Sequence, residues 1–185
     1  MPRSGAEARA RLREAALELY EERGYDATTT AQIAERAGVT ERTYFRHFAD
    51  KREVLFDGET RLRDVMTSAI ASAPGEPSPL ALVMRAYRAA MPLFVAGRPV
   101  AERRERIIAS STVLQERALA KSAALAQALI GALVERGIPE PTARLSTRAG
   151  AATFERASRA WNGTSAAELE TLLRQAADEL RALDW

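Results

Sequence analysis

The chain has no cysteine and one histidine, His47. Disulfides, thiolate metal sites and a cysteine nucleophile are excluded, and so is a zinc site built from several histidines. Valine and isoleucine together number only 14 of 185 residues, so the β-branched side chains that favour strands are scarce. Lysine is nearly missing: Lys51 and Lys121 stand against 25 arginines, a ratio that GC-rich coding explains without a functional argument. The longest strongly apolar stretch free of charge, Ser122 to Val134, is 13 residues, short of the ~20 a membrane span needs. The opening MPRSGAEARARLREAALELY has no apolar run of a secretion signal. A glycine-rich phosphate loop and a GxSxG elbow are also missing, and no acid, base and nucleophile cluster along the chain. These absences predict a cytoplasmic protein with no membrane segment, no catalytic residues, no metal and no cofactor.

Alanine is what the chain has most of, 38 of 185 residues. It loses no side-chain entropy in a helix, so the composition predicts an all-α protein. The mixture of 46% hydrophobic and 28% charged residues is that of a globular chain. The length allows one compact domain, or a small domain joined to a larger one. Net charge is only +2, but it is unevenly distributed. Residues 1–13 hold Arg3, Arg9, Arg11 and Arg13 against Glu7, and residues 14–26 hold five acids against Arg23. Residues 36–52 hold five basic side chains against Glu41 and Asp50, so two basic patches flank an acidic helix.

Helix punctuation divides the chain into about nine helices. The first runs from about Ala6 to Arg23, with Leu12, Ala16, Leu19 and Tyr20 on one face and Gly24 as its stop. The second opens at Thr29 with Gln32 as capping-box partner, buries Ile33, Ala34 and Ala37, and stops at Gly38. Thr40 caps a third, Glu41 to Phe48, whose Tyr44 and Phe48 face inward. Asp50, paired with Glu53 as a capping box, begins a fourth that continues to about Ser72. After the loop Ala73–Pro79, a fifth helix capped by Ser78 ends near Gly97, and Arg98-Pro99 begins a separate charged segment. Thr112 to Arg136 reads as a long helix, apolar almost all round and therefore expected to be central and buried. Two more follow, about Pro141–Trp161 and Ser165–Leu183.

A short Gly-containing turn between the second and third helices makes a helix-turn-helix, in which one helix braces on the DNA backbone while the next lies in the major groove. With Tyr44 and Phe48 inward, Arg42, Thr43, Arg46 and His47 face outward, a donor-rich set suited to phosphates and base edges. Thr29 and Thr30 stand at a helix N-terminus, where amides can hold a phosphate, and Lys51 lies on the same side. Tyr44 and Phe45 read either as packing residues or as base readers. The arginines of residues 3–13 read either as a frayed tail or as an arm reaching the minor groove.

The run Thr29-Thr30-Ala31-Gln32-Ile33-Ala34-Glu35-Arg36-Ala37-Gly38-Val39-Thr40, followed by Thr43-Tyr44-Phe45-Arg46-His47-Phe48 and Asp50-Lys51, resembles the signature of TetR-family transcriptional regulators over about residues 6–60. The resemblance implies a helix-turn-helix DNA-binding domain, residues 1–60, followed by a helical effector-binding and dimerisation domain, residues 61–185. It implies DNA contact by Thr43, phosphate contact by His47 and Lys51, a backbone contact by Thr30, and operator-determining positions at Arg42 and Arg46. The chain departs from the pattern at Phe45, where the family has tyrosine; an apolar contact, such as to a thymine methyl, replaces a hydroxyl. The expected partners are a double-stranded palindromic operator, a second copy of the chain and a small, largely apolar effector whose binding releases a repressor from DNA. An activator, or a DNA-binding protein without a ligand, is the alternative.

In the second half, Leu169, Leu172, Leu173, Ala176 and Leu180 form one stripe, and Ala149 and Ala152 belong to a small-residue surface on the preceding helix. By the resemblance these pair across a two-fold axis; without it the stripe is core. Met66, Met84, Tyr87, Met91, Phe94, Ile108 and Phe154 are the expected walls of an effector pocket, or else plain core. The stretch Glu105 to Arg117 also resembles the ligand domain of regulators linked to mycofactocin and acyl-CoA sensing. That resemblance would aim Arg98, Arg103, Arg104 and Arg106 at phosphates of an acyl-CoA-like ligand; without it they form a solvated face.

Overall fold

The computed structural model describes residues 3–163 and 165–183, residues 3 and 4 by backbone alone. The starting residues of the expected arm, including the Arg3 side chain, and Thr164 lie outside what is described. The described residues are all-α: α1 (Arg3–Arg23), α2 (Thr30–Arg36), α3 (Glu41–His47), a 3₁₀ turn (Glu53–Phe56), α4 (Glu59–Ala71), α5 (Pro79–Ala109), α6 (Thr112–Glu135), α7 (Glu140–Ala160) and α8 (Ala166–Arg181). They form two compact units.

The first unit holds the described residues up to Glu59 together with Pro99–Lys121. Leu12 and Leu19 of α1, Ile33 of α2, Tyr44 of α3 and Leu114 are almost wholly buried in its core. Pro99–Lys121 was expected in the second domain; it joins the first unit because Ile107 and Leu114 fill that core. Three of the four arginines of this stretch are paired, whereas Arg104 Nε is buried without a hydrogen-bond partner. Arg103 lies 2.6 Å from Glu14 and 2.8 Å from Glu21, Arg106 reaches Glu21, and Arg117 lies 2.5 Å from Glu53.

The expected fourth helix is broken. Asp50 Oδ1 accepts from the Arg52 and Glu53 amides as a cap should, but Glu53 returns no bond to Asp50. Its carboxylate is held instead by Arg117 and Lys121. The backbone then turns through Asp57 and Gly58, whose φ of 97° only glycine adopts freely, before α4 begins. Burial opposes ionisation of Glu53, yet Lys121 and Arg117 outweigh it and hold the carboxyl below its usual 4.5. A carboxyl depressed in the folded state contributes stability above its unfolded pKa and loses it as pH falls through the folded value. Denaturant titrations should therefore show stability falling as pH drops below about 4.5, with a shallower fall in Glu53→Gln.

The second unit holds Thr60–Arg98 and the described residues from Ser122 on. Its core is built from Met66 and Ile70 of α4, Leu82 and Val83 of α5, Leu129 and Leu133 of α6, and Leu169 and Leu173 of α8. Leu169, Leu173 and Ala176 therefore close the core of their own chain and cannot meet a partner. Of the expected dimer stripe, Ala152 is exposed, and Ala149, Leu172 and Leu180 are partly so. The sequence reading missed Leu145, 70% exposed on α7. At Gly150 a Cβ would collide with Val83, so α7 approaches α5 closely there.

The expected effector pocket is a packed interior. Phe154 stacks on Tyr87 at 4.6 Å and tilts against Phe94 at 4.5 Å, while Met66, Met84 and Met91 are buried beside them. Burial pushes the Tyr87 phenol up to about 12. Ile108 is not among them; it packs against the core of the first unit. A helical stripe of large apolar side chains identifies a buried face without saying whether the space behind it is filled.

Two helices also depart from expectation. α5 runs unbroken through Pro99, where a separate segment was expected. A proline inside a helix costs about 3 kcal/mol, but Tyr87 and Met91 before it and Ile107 after it are each anchored by burial. α6 is far less buried than its composition suggests, with Leu119 71% and Val134 42% exposed. Its alanines sustain the helix by intrinsic propensity, and only an edge carrying Leu129, Ile130 and Leu133 is packed in the second unit. By length and composition α5 and α6 would each suffice to cross a bilayer. The count of uncharged residues missed this because one or two charges do not erase the hydropathy of an alanine-rich window.

Candidate nucleic-acid interface

The local sequence fixes the geometry of α2 and α3. Thr29 caps α2 by accepting from the Gln32 amide, and the Gln32 side chain accepts from the Thr29 amide at 2.9 Å, a complete capping box. The helix closes with Gly38 at a φ of 65° and the Val39 amide on Ala34 O at 2.9 Å, a Schellman end that redirects the chain within two residues. Thr40 then caps α3 by accepting from the Thr43 amide. The Thr30 hydroxyl donates to Glu41 Oε1 at 2.6 Å and ties the start of α2 to the start of α3.

Packing decides which face of α3 is presented. Tyr44 is fully buried, and its hydroxyl donates to Asp50 O at 3.0 Å. That corrects its place among the candidate DNA-contacting residues: the ring is core and the hydroxyl is occupied by the turn after α3. Phe48 is buried with it, and burial drives the Tyr44 phenol well above its ordinary range. Phe45 is 52% exposed and meets Tyr44 only edge-on, so it is a surface aromatic rather than a packing residue. Arg42 and Arg46 are exposed and make no ion pair among the described residues, and Thr43 is half-buried with its hydroxyl 3.0 Å from that of Thr40.

His47 is half-buried, and its Nε2 is buried without a hydrogen-bond partner. Burial, then Arg46 and Arg9, lower its pKa against the opposing pull of Asp57, so the ring is neutral at pH 7. The basic residues before it are not an extended arm. Residues 3–13 form the first half of α1, and Arg9 and Arg13 lie 2.7 and 3.7 Å from Asp57.

Lys51 precedes the 3₁₀ turn rather than starting a fourth helix. Its ammonium donates to Tyr25 O at 2.9 Å, Thr28 O at 3.2 Å and Asp26 O at 3.4 Å, over the ring of Tyr25. The Tyr20 hydroxyl in turn donates to Lys51 O at 2.5 Å. Lys51 thus latches the loop after α1 to the segment after α3. Lys51→Met keeps the stem but orphans these carbonyls, and should lower unfolding free energy by about 1–3 kcal/mol in urea titrations. A lysine that served phosphate alone would leave stability unchanged.

Residues 12–57, the stretch that builds this geometry, match the family described as bacterial regulatory proteins of the tetR family. The match covers the helix-turn-helix, about a quarter of the chain. Its sequence is similar to that of TcmR, an HTH-type transcriptional regulator of Streptomyces glaucescens, with 40% identity over 76 residues. That stretch is 41% of this chain and 34% of TcmR. YvkB, an HTH-type transcriptional regulator of Bacillus subtilis (strain 168), is 50% identical over 45 residues, 24% of each chain. The aligned stretches thus span about a third of one relative and a quarter of the other. The TetR likeness extends over nearly the whole chain as fold. PfmR, a TetR-family regulator from Thermus thermophilus, superposes with a TM-score of 0.51 over 94% of this chain and 99% of its own, at 20% identity. FadR from Bacillus subtilis, solved with stearoyl-CoA, gives 0.54 over 90% and 96% at 17% identity.

Proposed function

We propose that the chain is a cytoplasmic, homodimeric transcriptional regulator that represses from a palindromic operator and is released by a small effector. The observation that carries this reading is the surface of α3: Arg42, Phe45 and Arg46 exposed on a short helix whose ends are capped and whose inner face is buried. Arg42 and Arg46 suit base edges or phosphates, and Phe45 suits a thymine methyl. Thr43 and His47 lie at the edge of that surface, with Thr29 and Thr30 at the start of the bracing helix. Lys51 acts through the loop it latches.

A two-fold dimer would present two such helices about 34–36 Å apart, one turn of DNA. The exposed side of α7 and α8, with Leu145, Ala152 and the accessible parts of Ala149, Leu172 and Leu180, supplies apolar surface for it. An effector releases DNA only by favouring the state that does not bind it. Selection of bound sequences from random duplexes tests the reading. It predicts two inverted half-sites centred about one helical turn apart; binding with no sequence preference, or to single half-sites only, overturns it.

A further inference from the structure

A groove of about 590 Å³ opens on the surface of the second unit where the end of α4 faces the start of α5. Small-molecule sites commonly occupy about 300–1,000 Å³. Its lining is four alanines, two prolines and two arginines, Arg85 and Arg88. The cause lies in the helical register. Leu82, Val83, Ala86 and Ala90 of α5 are buried in the core, which turns Ala81, Arg85, Arg88 and Ala89 toward the groove. Ala81 and Ala89 project only a methyl each, so the space above them stays open.

Both arginines are held by one edge. Arg85 donates through Nε to Ala69 O at 3.1 Å, and Arg88 through Nε to Glu170 Oε1 at 2.9 Å. The two terminal nitrogens of each make no further hydrogen bond among the described residues. Two oriented guanidinium forks, with one nearby carboxylate, leave a net positive charge at an otherwise apolar groove. A planar carboxylate matches such forks, and an apolar chain matches alanine and proline walls.

We infer that this groove binds a small organic carboxylate with an apolar body, its carboxylate on Arg85 and Arg88. The inference rests on the ligand-controlled reading above for what binding achieves, though not for whether it occurs.

Calorimetry on the full chain with decanoate and with decanol, matched in length and differing in charge, tests it. Decanoate should bind at least about tenfold more tightly than decanol. Arg85→Gln, whose amide can still donate to Ala69 O, should weaken decanoate about tenfold and leave decanol unchanged. Arg88→Gln combined with Glu170→Gln, which leaves no carboxylate unpaired, should do the same. Ala81→Leu with Ala89→Leu should block both ligands. No binding of decanoate, equal binding of the two ligands, or decanoate affinity untouched by these variants overturns the inference. Adding decanoate to the complex with a selected duplex separates the two claims. Binding in calorimetry without release of the duplex keeps the groove and rejects the effector role. A chain that binds no duplex at all rejects the regulator reading and leaves the calorimetry standing.

Discussion

Arg42→Ala combined with Arg46→Ala removes sequence-specific DNA binding while the chain stays folded. Both side chains are exposed on α3 and unpaired among the described residues, so their loss disturbs no packing or ion pair. Substitutions at such positions usually change stability by no more than about 0.5 kcal/mol. An arginine on a guanine edge is worth about 1–3 kcal/mol, so losing two reduces operator affinity by roughly 30-fold or more. Fluorescence anisotropy with a selected duplex, beside a thermal melt, checks both halves. A uniform loss over all sequences would assign the two arginines to phosphates; retained specific binding would show that another surface reads DNA.

Leu173→Asp unfolds the second unit rather than merely splitting a dimer. Leu173 is completely buried in the core shared by α4, α5, α6 and α8. Truncating such a leucine costs about 2–5 kcal/mol, and an unpaired carboxylate in its place costs more unless it takes up a proton. That approaches the roughly 5–15 kcal/mol that holds a whole domain folded. Circular dichroism should show lost helicity and a lower, broader melt. A folded monomer in analytical ultracentrifugation would instead place Leu173 at the subunit contact. Leu145→Asp is the counterpart: its side chain is exposed, so it should leave the helices intact and weaken self-association.

The contrast between those leucines shows what was legible in the sequence. The helix-turn-helix was readable because its signals are local. Thr29 with Gln32, Gly38 and Thr40 each act within a few residues, and the inward pair Tyr44 and Phe48 sets the outward face of α3. The break at Asp57 and Gly58 was not readable, because Glu53 could complete a capping box or pair across the unit, and Arg117 and Lys121 decided it. The stripe on α8 showed that one face is buried, but periodicity does not name the partner; the core of the same chain took Leu169 and Leu173. Pro99 marked a break on local grounds that burial on either side overrode. The α4–α5 groove left no sequence signal at all, since alanines on an exposed face look like ordinary helix filler.

The arginine–carboxylate clasps of the first unit bear on how its DNA affinity should be measured. Arg103 on Glu14 and Glu21, Arg36 on Glu18 and Glu22, and Arg9 on Asp57 all reach solvent, where added electrolyte weakens them. Raising ionic strength therefore acts twice, displacing the reading head from phosphate and loosening the clasps that link its helices. A plot of log affinity against log salt would then be steeper than the number of phosphates touched, and counterion counts need a parallel measurement of folding at each salt concentration.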